Sequence, residues 1–277
     1  MNLSISKASL LAIVGRCVGI ASQKSTLPAL SCVLLRTGNG CLVASATDLY
    51  EAIVSSAPAD VTEPGSFAVS ARDLFERVKA LPDGPVSLSL KDHALTLKSG
   101  SSKRRFTMRG IPGEDYPKIE EMPLGTQEAT VLASTVKLAL SRTAFSVCSD
   151  ETRPGMNCVR LDASDGALHT ASTDGHRLSV CAIKADCVIG ECLIPFKAVG
   201  ELPKLLDGVG KDETITIATT KHATFVGIGP AVFFMKQVDA QFPPIEQVMK
   251  RDNPTRVDIN RAALADSLLE SLAQEVD

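Results

Sequence analysis

The chain has 277 residues and a formal net charge of −3, so no overall basic footprint announces nucleic acid, although a basic face segregated on an acidic body stays open. A hydrophobic share of 44% supports real cores for two domains and a remainder, and no run nears the ~18 apolar residues of a membrane span. Trp is absent and Phe and Tyr together number eleven, a poor supply for gripping single strands by base stacking.

Met1-Asn2-Leu3-Ser4-Ile5 reads as a strand and lacks the charged start of a signal peptide. Ser6 is placed to cap a helix over Lys7 to Val18, with Leu10, Val14 and Cys17 on one face. Strands Cys32 to Thr37 and Cys41 to Ala46 flank a Gly38-Asn39-Gly40 turn. A second helix, Ala71 to Leu81, aligns Leu74, Val78 and Leu81 and stops at Pro82-Asp83-Gly84-Pro85. Val86 to Leu90 and Leu95 to Lys98 alternate as a half-buried hairpin, and Met122 to Thr126 reads as a linker.

The same order then returns. A helix over Ser134 to Phe145 carries Val136, Leu140 and Ala144, a hairpin turn falls at Ser164-Asp165-Gly166, and a further helix runs from Lys197 to Leu206. Gly200 and Pro203 lie inside that last helix, where an interior proline predicts a kink costing ~3 kcal/mol or more. Arg251-Asp252-Asn253-Pro254 reads as a second linker and Val257-Asp258-Ile259 as a strand. Asn260 then caps a helix with Leu264, Leu268 and Leu272.

Three anchors turn this similarity into a duplication. Thr47-Asp48 recurs as Thr173-Asp174 at an offset of 126. Tyr116-Pro117-Lys118-Ile119-Glu120 recurs as Phe242-Pro243-Pro244-Ile245-Glu246 at 126, and Val69-Ser70-Ala71-Arg72 as Ile194-Pro195-Phe196-Lys197 at 125. The period is too long for a solenoid and is the size of a small domain. The expected domains are 1–123 and 127–251, with 255–277 as the start of a third copy that stops after about twenty-five residues. None of the eight cysteines forms a C-x-x-C pair, so a structural zinc site is not expected; most lie in apolar runs, as free thiols of a reducing cytosol.

The residues resemble the bacterial DNA polymerase III beta sliding clamp. Thr26-Leu27-Pro28-Ala29-Leu30 with Val33-Leu34-Leu35 is similar to the family's first-domain signature, and Thr173-Asp174-Gly175-His176-Arg177-Leu178-Ser179-Val180-Cys181 to its most specific stretch. Val238-Asp239-Ala240-Gln241-Phe242-Pro243 is similar to the run that closes its second domain. The resemblance implies an α+β fold of repeated clamp domains, with antiparallel sheets outside and two helices per domain lining a DNA-facing surface. It implies a cytoplasmic, non-catalytic processivity factor without cofactors. Two chains would close a ring around duplex DNA and tether the replicative polymerase, the clamp loader and other proteins bearing clamp-binding peptides. Phosphate attraction without base readout would let such a ring slide.

The resemblance implies three sites. For DNA it points to Lys24, which matches a basic loop position of the family, and to the helix residues Arg72, Arg77, Lys137, Arg142, Lys197 and Lys204, with Lys7, Arg16 and Lys79 as further helix charges. The same charges are ordinary on solvated helix faces. For a partner-peptide groove it points to Met156, Thr173, Gly175, His176, Arg177, Leu178, Pro243 and Val248; a Thr-Asp-Gly turn leading into core strand residues Leu178 and Val180 is the plainer reading. For a dimer seam it points to Lys103, Arg105, Phe106 and Met108 on an edge strand, where Lys and Arg also serve to prevent pairing.

The sequence departs from the family in its third copy, which would remove half of each seam and part of the groove. Asp150, Pro154 and Gly155 stand where the family has polar or aromatic DNA-touching residues. A truncated or divergent paralogue that binds partners without encircling DNA is the alternative, and the chain as given is expected to be a monomer or weak dimer. An enzyme is disfavoured: there is no G-x-S-x-G elbow, H-E-x-x-H or phosphate-cradling loop, and Asp174 with His176 makes no triad.

Overall fold

The computed structural model describes residues 1–22, 25–100, 104–249, 254–255 and 257–274. In the first repeat the order is β1 (Asn2–Ser6), α1 (Lys7–Val18), β2 (Cys32–Gly38), β3 (Cys41–Thr47), β4 (Glu51–Pro58), β5 (Asp60–Glu63), β6 (Ser66–Ser70), α2 (Ala71–Lys79), β7 (Pro85–Lys91), β8 (Ala94–Ser99), β9 (Arg105–Arg109) and the two-residue β10 (Ile111–Pro112). The second repeat follows as β11 (Glu128–Leu132), α3 (Ala133–Thr143), β12 (Cys158–Ser164), β13 (Ala167–Thr173), β14 (Leu178–Lys184), β15 (Ile189–Pro195), α4 (Phe196–Leu206), β16 (Thr214–Thr219), β17 (Ala223–Ile228) and β18 (Ala231–Lys236). Both repeats lie in one compact unit, Met1–Phe242.

The strands form three antiparallel sheets, β5-β1-β7-β8-β9, β14-β13-β12-β15, and a nine-stranded sheet β10-β6-β2-β3-β4-β18-β17-β16-β11. The large sheet is shared. Its first five strands come from the first repeat and its last four from the second, joined where β4 pairs with β18 from Glu51–Met235 to Ser55–Ala231. One continuous core cluster therefore spans the joint, from Leu10 and Ile53 to Phe233 and Met235.

Capping and periodicity account for the helices. Ser6 Oγ accepts the Ser9 N–H at 3.0 Å, and Leu10, Ile13, Val14 and Cys17 are the buried stripe of α1. Ser70 caps α2, which ends two residues before the expected Leu81 although Leu81 still packs into the core. The expected helix to Phe145 stops at Thr143 and continues as a 3-10 turn, Ala144–Ser146. The helix α4 is continuous across Pro203, anchored by buried Ala198, Val199, Leu202 and Leu206. Packing at those four positions offsets the hydrogen bond that proline cannot donate.

The helices form a row. The first, α1, packs on α2, and α3 packs on α4. Between the repeats, a Cβ placed on Gly19 at the end of α1 would lie 2.4 Å from Glu201 Oε2 of α4. The sequence of neighbours is thus α2, α1, α4, α3.

A separate unit, Pro243–Asp277, contains a 3-10 turn at Ile245–Gln247 and α5 (Arg261–Gln274). Asn260 caps α5 as expected, its Oδ1 accepting the N–H groups of Ala262 and Ala263. The expected strand at Val257-Asp258-Ile259 is not formed; these residues are exposed and join no ladder among the described residues. A strand is stable only with a partner, and pattern alone does not supply one.

The duplicated Thr-Asp segments are the same turn twice. Thr47 Oγ1 donates to the Glu51 carbonyl at 2.8 Å and Asp48 Oδ1 accepts from Tyr50 and Glu51. Thr173 Oγ1 donates to the Arg177 carbonyl at 2.8 Å and Asp174 Oδ1 accepts from His176 and Arg177. Both turns need a left-handed residue: Gly175 at φ +91° in the second, but Leu49 at φ +79° in the first. Because Leu49 is also 42% exposed, little packing is lost on removing its side chain. Leu49→Gly is therefore expected to stabilise the protein by about 1 kcal/mol, read as a higher denaturant midpoint with an unchanged slope. A lower midpoint would show that the Leu49 side chain contributes more than its backbone costs.

Candidate functional site

The helix row carries the basic residues picked out from the sequence, and most of them are already answered by a carboxylate. Arg77 Nε pairs with Asp73 at 2.8 Å on α2, and Lys7 with Asp83 at 3.0 Å. Lys137 of α3 pairs with Asp207, and Lys204 of α4 with Glu201 at 2.8 Å. Arg142 Nη1 lies 3.9 Å from Cys181 Sγ, and Arg16 Nη1 donates to Ser55 Oγ at 3.0 Å. Pairs this exposed bind weakly, so they soften phosphate attraction rather than abolish it. Lys24 lies outside the described residues.

Lys197 is the exception in kind. Its ammonium leaves its own repeat to pair with Asp48, and it stands 3.6 Å from the carboxylate of Glu51. Partial burial alone would push the Lys197 pKa down, but Asp48 and Glu51 outweigh it and hold it above its ordinary value. Glu51 is 1% exposed, and neither of its oxygens accepts a hydrogen bond among the described residues. Burial pushes its carboxyl up to about 7, against the opposing pull of Lys197. This lysine thus ties the two repeats together, and its half-exposed ammonium is also the part of it that could meet a phosphate. In the sequence Asp48 is marked only by its recurrence as Asp174; nothing local identifies two residues 149 apart as partners.

The groove residues Thr173, Gly175, His176, Arg177 and Leu178 come together in the turn between β13 and β14. Asp174 is the turn's organiser. Backbone N–H groups of Arg177 and His176 hold its carboxyl down at about 2, with the Arg177 side chain pairing at 2.9 Å. Gly175, His176 and Arg177 are exposed, Leu178 is half-buried and Thr173 is buried. Val180 is 45% exposed, so the plainer reading of it as a core residue fails: side chains alternate along β14, and Val180 lies on the solvent side with Ala182 while Cys181 faces the core. The Arg177 guanidinium also lies 5.9 Å from the ring centroid of Phe145, which is 60% exposed. The sequence reading missed this aromatic neighbour because it placed Phe145 inside a helix.

Met156 is half-buried on the loop between α3 and β12, its N–H donating to the Arg153 carbonyl and its carbonyl accepting from Cys148. A Cβ on neighbouring Gly155 would come within 2.5 Å of the Gln241 carbonyl oxygen, so Gly155 is a packing point. Pro243 and Val248 belong to the second unit, where Val248 is 73% exposed.

Of the seam residues, Arg105, Phe106 and Met108 lie on β9, the free edge of the five-stranded sheet. Arg105 is exposed, whereas Met108 is 4% exposed and packs into the core with Phe106 against it. Met108 can therefore serve a seam only through its backbone. Lys103 lies outside the described residues. Burial pushes the Cys158 and Cys192 thiols up to about 12, consistent with buried cysteines acting as small hydrophobes.

Comparison with known proteins agrees with this architecture. Residues 1–120 match the family model of the DNA polymerase III beta subunit N-terminal domain, and residues 130–244 that of its central domain. The chain is 31% identical to the beta sliding clamp of Pseudomonas aeruginosa, over 91% of this chain and 68% of that protein. It is 29% identical to that of Escherichia coli K12, over 92% of this chain and 69% of that protein. The crystal structure of the Pseudomonas aeruginosa DNA polymerase III subunit beta superposes with a TM-score of 0.84 at 31% identity, covering 92% and 69% of the two chains. The Bacillus subtilis sliding clamp shares the fold at the same TM-score with 24% identity.

Proposed function

The chain belongs to the family of DNA polymerase III beta subunits, the beta sliding clamps, and we propose that it acts as a processivity factor: a non-catalytic, cytoplasmic sliding clamp on duplex DNA. The observation that carries this reading is the row α2, α1, α4, α3, built by two repeats that share one nine-stranded sheet. A duplicated body whose two helix pairs meet at Gly19 and Glu201 offers duplex DNA a repeated, sequence-blind surface. Its ion-paired cations suit a contact that must hold without stalling.

Partners would engage the turn from Thr173 to Leu178 with Met156, taking the peptides of the replicative polymerase, the clamp loader and other clamp-binding proteins. The free β9 edge supports a homodimer seam in which Arg105 lies at the surface and the backbone pairs.

DNA binding is expected to be weak, independent of sequence and steeply weakened by salt, each phosphate contact contributing about −0.9 to the log–log slope. Replacing Lys24 and Arg72 together by Ala should weaken binding uniformly across sequences and make that slope shallower. Fluorescence anisotropy on duplexes of unrelated sequence, across a salt series, reads both. A sequence-specific footprint at physiological salt would contradict the clamp reading, as would failure to extend the product length of the replicative polymerase on primed templates.

A further inference from the structure

A pocket of about 590 Å³ opens on the side of the nine-stranded sheet opposite its core. Strand alternation puts it there. Leu34 and Val54 line it, while their neighbours Val33, Leu35 and Ile53 face the core cluster with Leu10. With Phe225, Val232 and Phe234 they form an apolar floor drawn from β2, β4, β17 and β18, so the pocket straddles the joint between the repeats.

Its roof is the segment 113–122, and the roof is fastened at both ends. Gly110 and Gly113 approach the sheet so closely that a Cβ would lie 2.0 Å from the Ala68 carbonyl oxygen and 1.9 Å from Ser66 Oγ. Tyr116 is buried, its hydroxyl donating to the Cys32 carbonyl at 3.1 Å and accepting the Thr47 N–H at 3.2 Å. Farther along, Ile119 and Met122 pack on the Phe225–Phe234 cluster. At the mouth, the carboxylates of Glu114, Glu120 and Glu121 outnumber the cations of Arg36 and Lys118.

We propose that this pocket binds a short extended peptide bearing apolar side chains and one basic side chain. Its volume lies within the range of ligand sites, and its floor is apolar apart from Ser45 of β3, between Leu34 and Val54, with the charged groups at the rim. The acidic excess at the mouth favours a cation on the ligand. The choice of a peptide rests on the clamp reading, because Pro117 and Met122 stand one repeat before Pro243 and Val248 of the partner groove.

The test is a titration of the whole chain with a blocked peptide of leucine, phenylalanine and one lysine, followed through side-chain methyl resonances. Methyls of Leu34, Val54 and Val232 report this pocket, and the Met156 methyl reports the groove separately. Saturable shifts at the first three are expected. Val232→Glu and Met122→Glu should each weaken them about tenfold or more by placing an unpaired charge against the apolar floor. Val232 is 42% exposed, so its substitution leaves the fold intact, as parallel thermal melts would verify. Exchanging the peptide's lysine for glutamate should weaken binding several-fold. No movement of the three methyls at millimolar peptide would overturn the proposal, as would binding that both variants leave unchanged. Shifts confined to Met156 would also overturn it while leaving the groove reading standing. Shifts at the pocket with Met156 silent would support the pocket and count against the groove for this peptide.

Discussion

Phe233→Ala is expected to cost about 3–5 kcal/mol of stability, more than any other single truncation at the joint between the repeats. Phe233 is wholly buried in β18 and pairs across the sheet with Ile53 of β4, itself wholly buried. The ring thus belongs to both repeats at once. Removing it leaves a cavity whose walls are strands on either side of the joint, and neither wall can close without breaking the β4–β18 ladder. In a body this large each kcal/mol moves the melting temperature by about 2–4 °C, so a drop of roughly 10 °C is expected. Amide exchange should accelerate first along Ile53, Val54 and Val232. Val232→Ala is the control: its side chain is on the exposed face and should cost well under about 1 kcal/mol. A Phe233→Ala protein melting within a degree or two of the parent would mean that the joint is held by the ladder alone.

The joint also explains which parts of the molecule were legible in the sequence. Elements set by local chemistry were read almost to the residue: α1 from Ser6 and its Leu10, Val14, Cys17 stripe, the hairpins from Gly38-Asn39-Gly40 and Ser164-Asp165-Gly166, and α5 from Asn260. The duplication was legible because its turns reuse the same side-chain bonds at the same spacing. What the sequence did not reveal was long-range. Nothing near Ala231 announces that β18 pairs with a strand 176 residues earlier, so the sheet that the two repeats share was not legible. The unpaired Val257-Asp258-Ile259 shows the same limit from the other side: a strand pattern is only a request for a partner. Among the site residues, the turn at Thr173–Leu178 was recoverable as a unit, whereas the ion pairs of Lys137 and Lys197 were not, because their carboxylates are 70 and 149 residues away.

Lys197→Ala is expected to destabilise the joint by about 1–2 kcal/mol at pH 8, because solvent screens its half-exposed ammonium, and by clearly less at pH 6. The argument turns on Glu51. Its carboxyl lies beside Met235 in the ladder, 1% exposed, with Asp48 and Glu201 as further acids and Lys197 as the opposing cation. Burial raises its pKa from 4.5 to about 7 in the folded protein. A carboxyl raised in this way contributes its full stability below the unfolded value and loses it as pH climbs through the folded one. The parent should therefore lose stability between about pH 5 and pH 8 on account of this group, and Glu51→Gln should flatten that slope. Lys197 limits the loss, since its ammonium offsets the ionised carboxylate above pH 7. Without it, Glu51 must either remain ionised and unpaired in a dry site or keep its proton at a cost that rises with pH. At pH 6 the carboxyl is largely protonated with or without the lysine, so the loss there is that of the pairing to Asp48 alone. Denaturant melts of the parent, Lys197→Ala and the Lys197→Ala/Glu51→Gln double variant at both pH values would decide it. The double variant should recover the part of the loss at pH 8 that comes from Glu51 and bring it down to the pH 6 penalty. A Lys197→Ala penalty equal at the two pH values, or undiminished in the double variant, would show that Lys197 acts through Asp48 alone and that Glu51 is not the group the joint is built to hold.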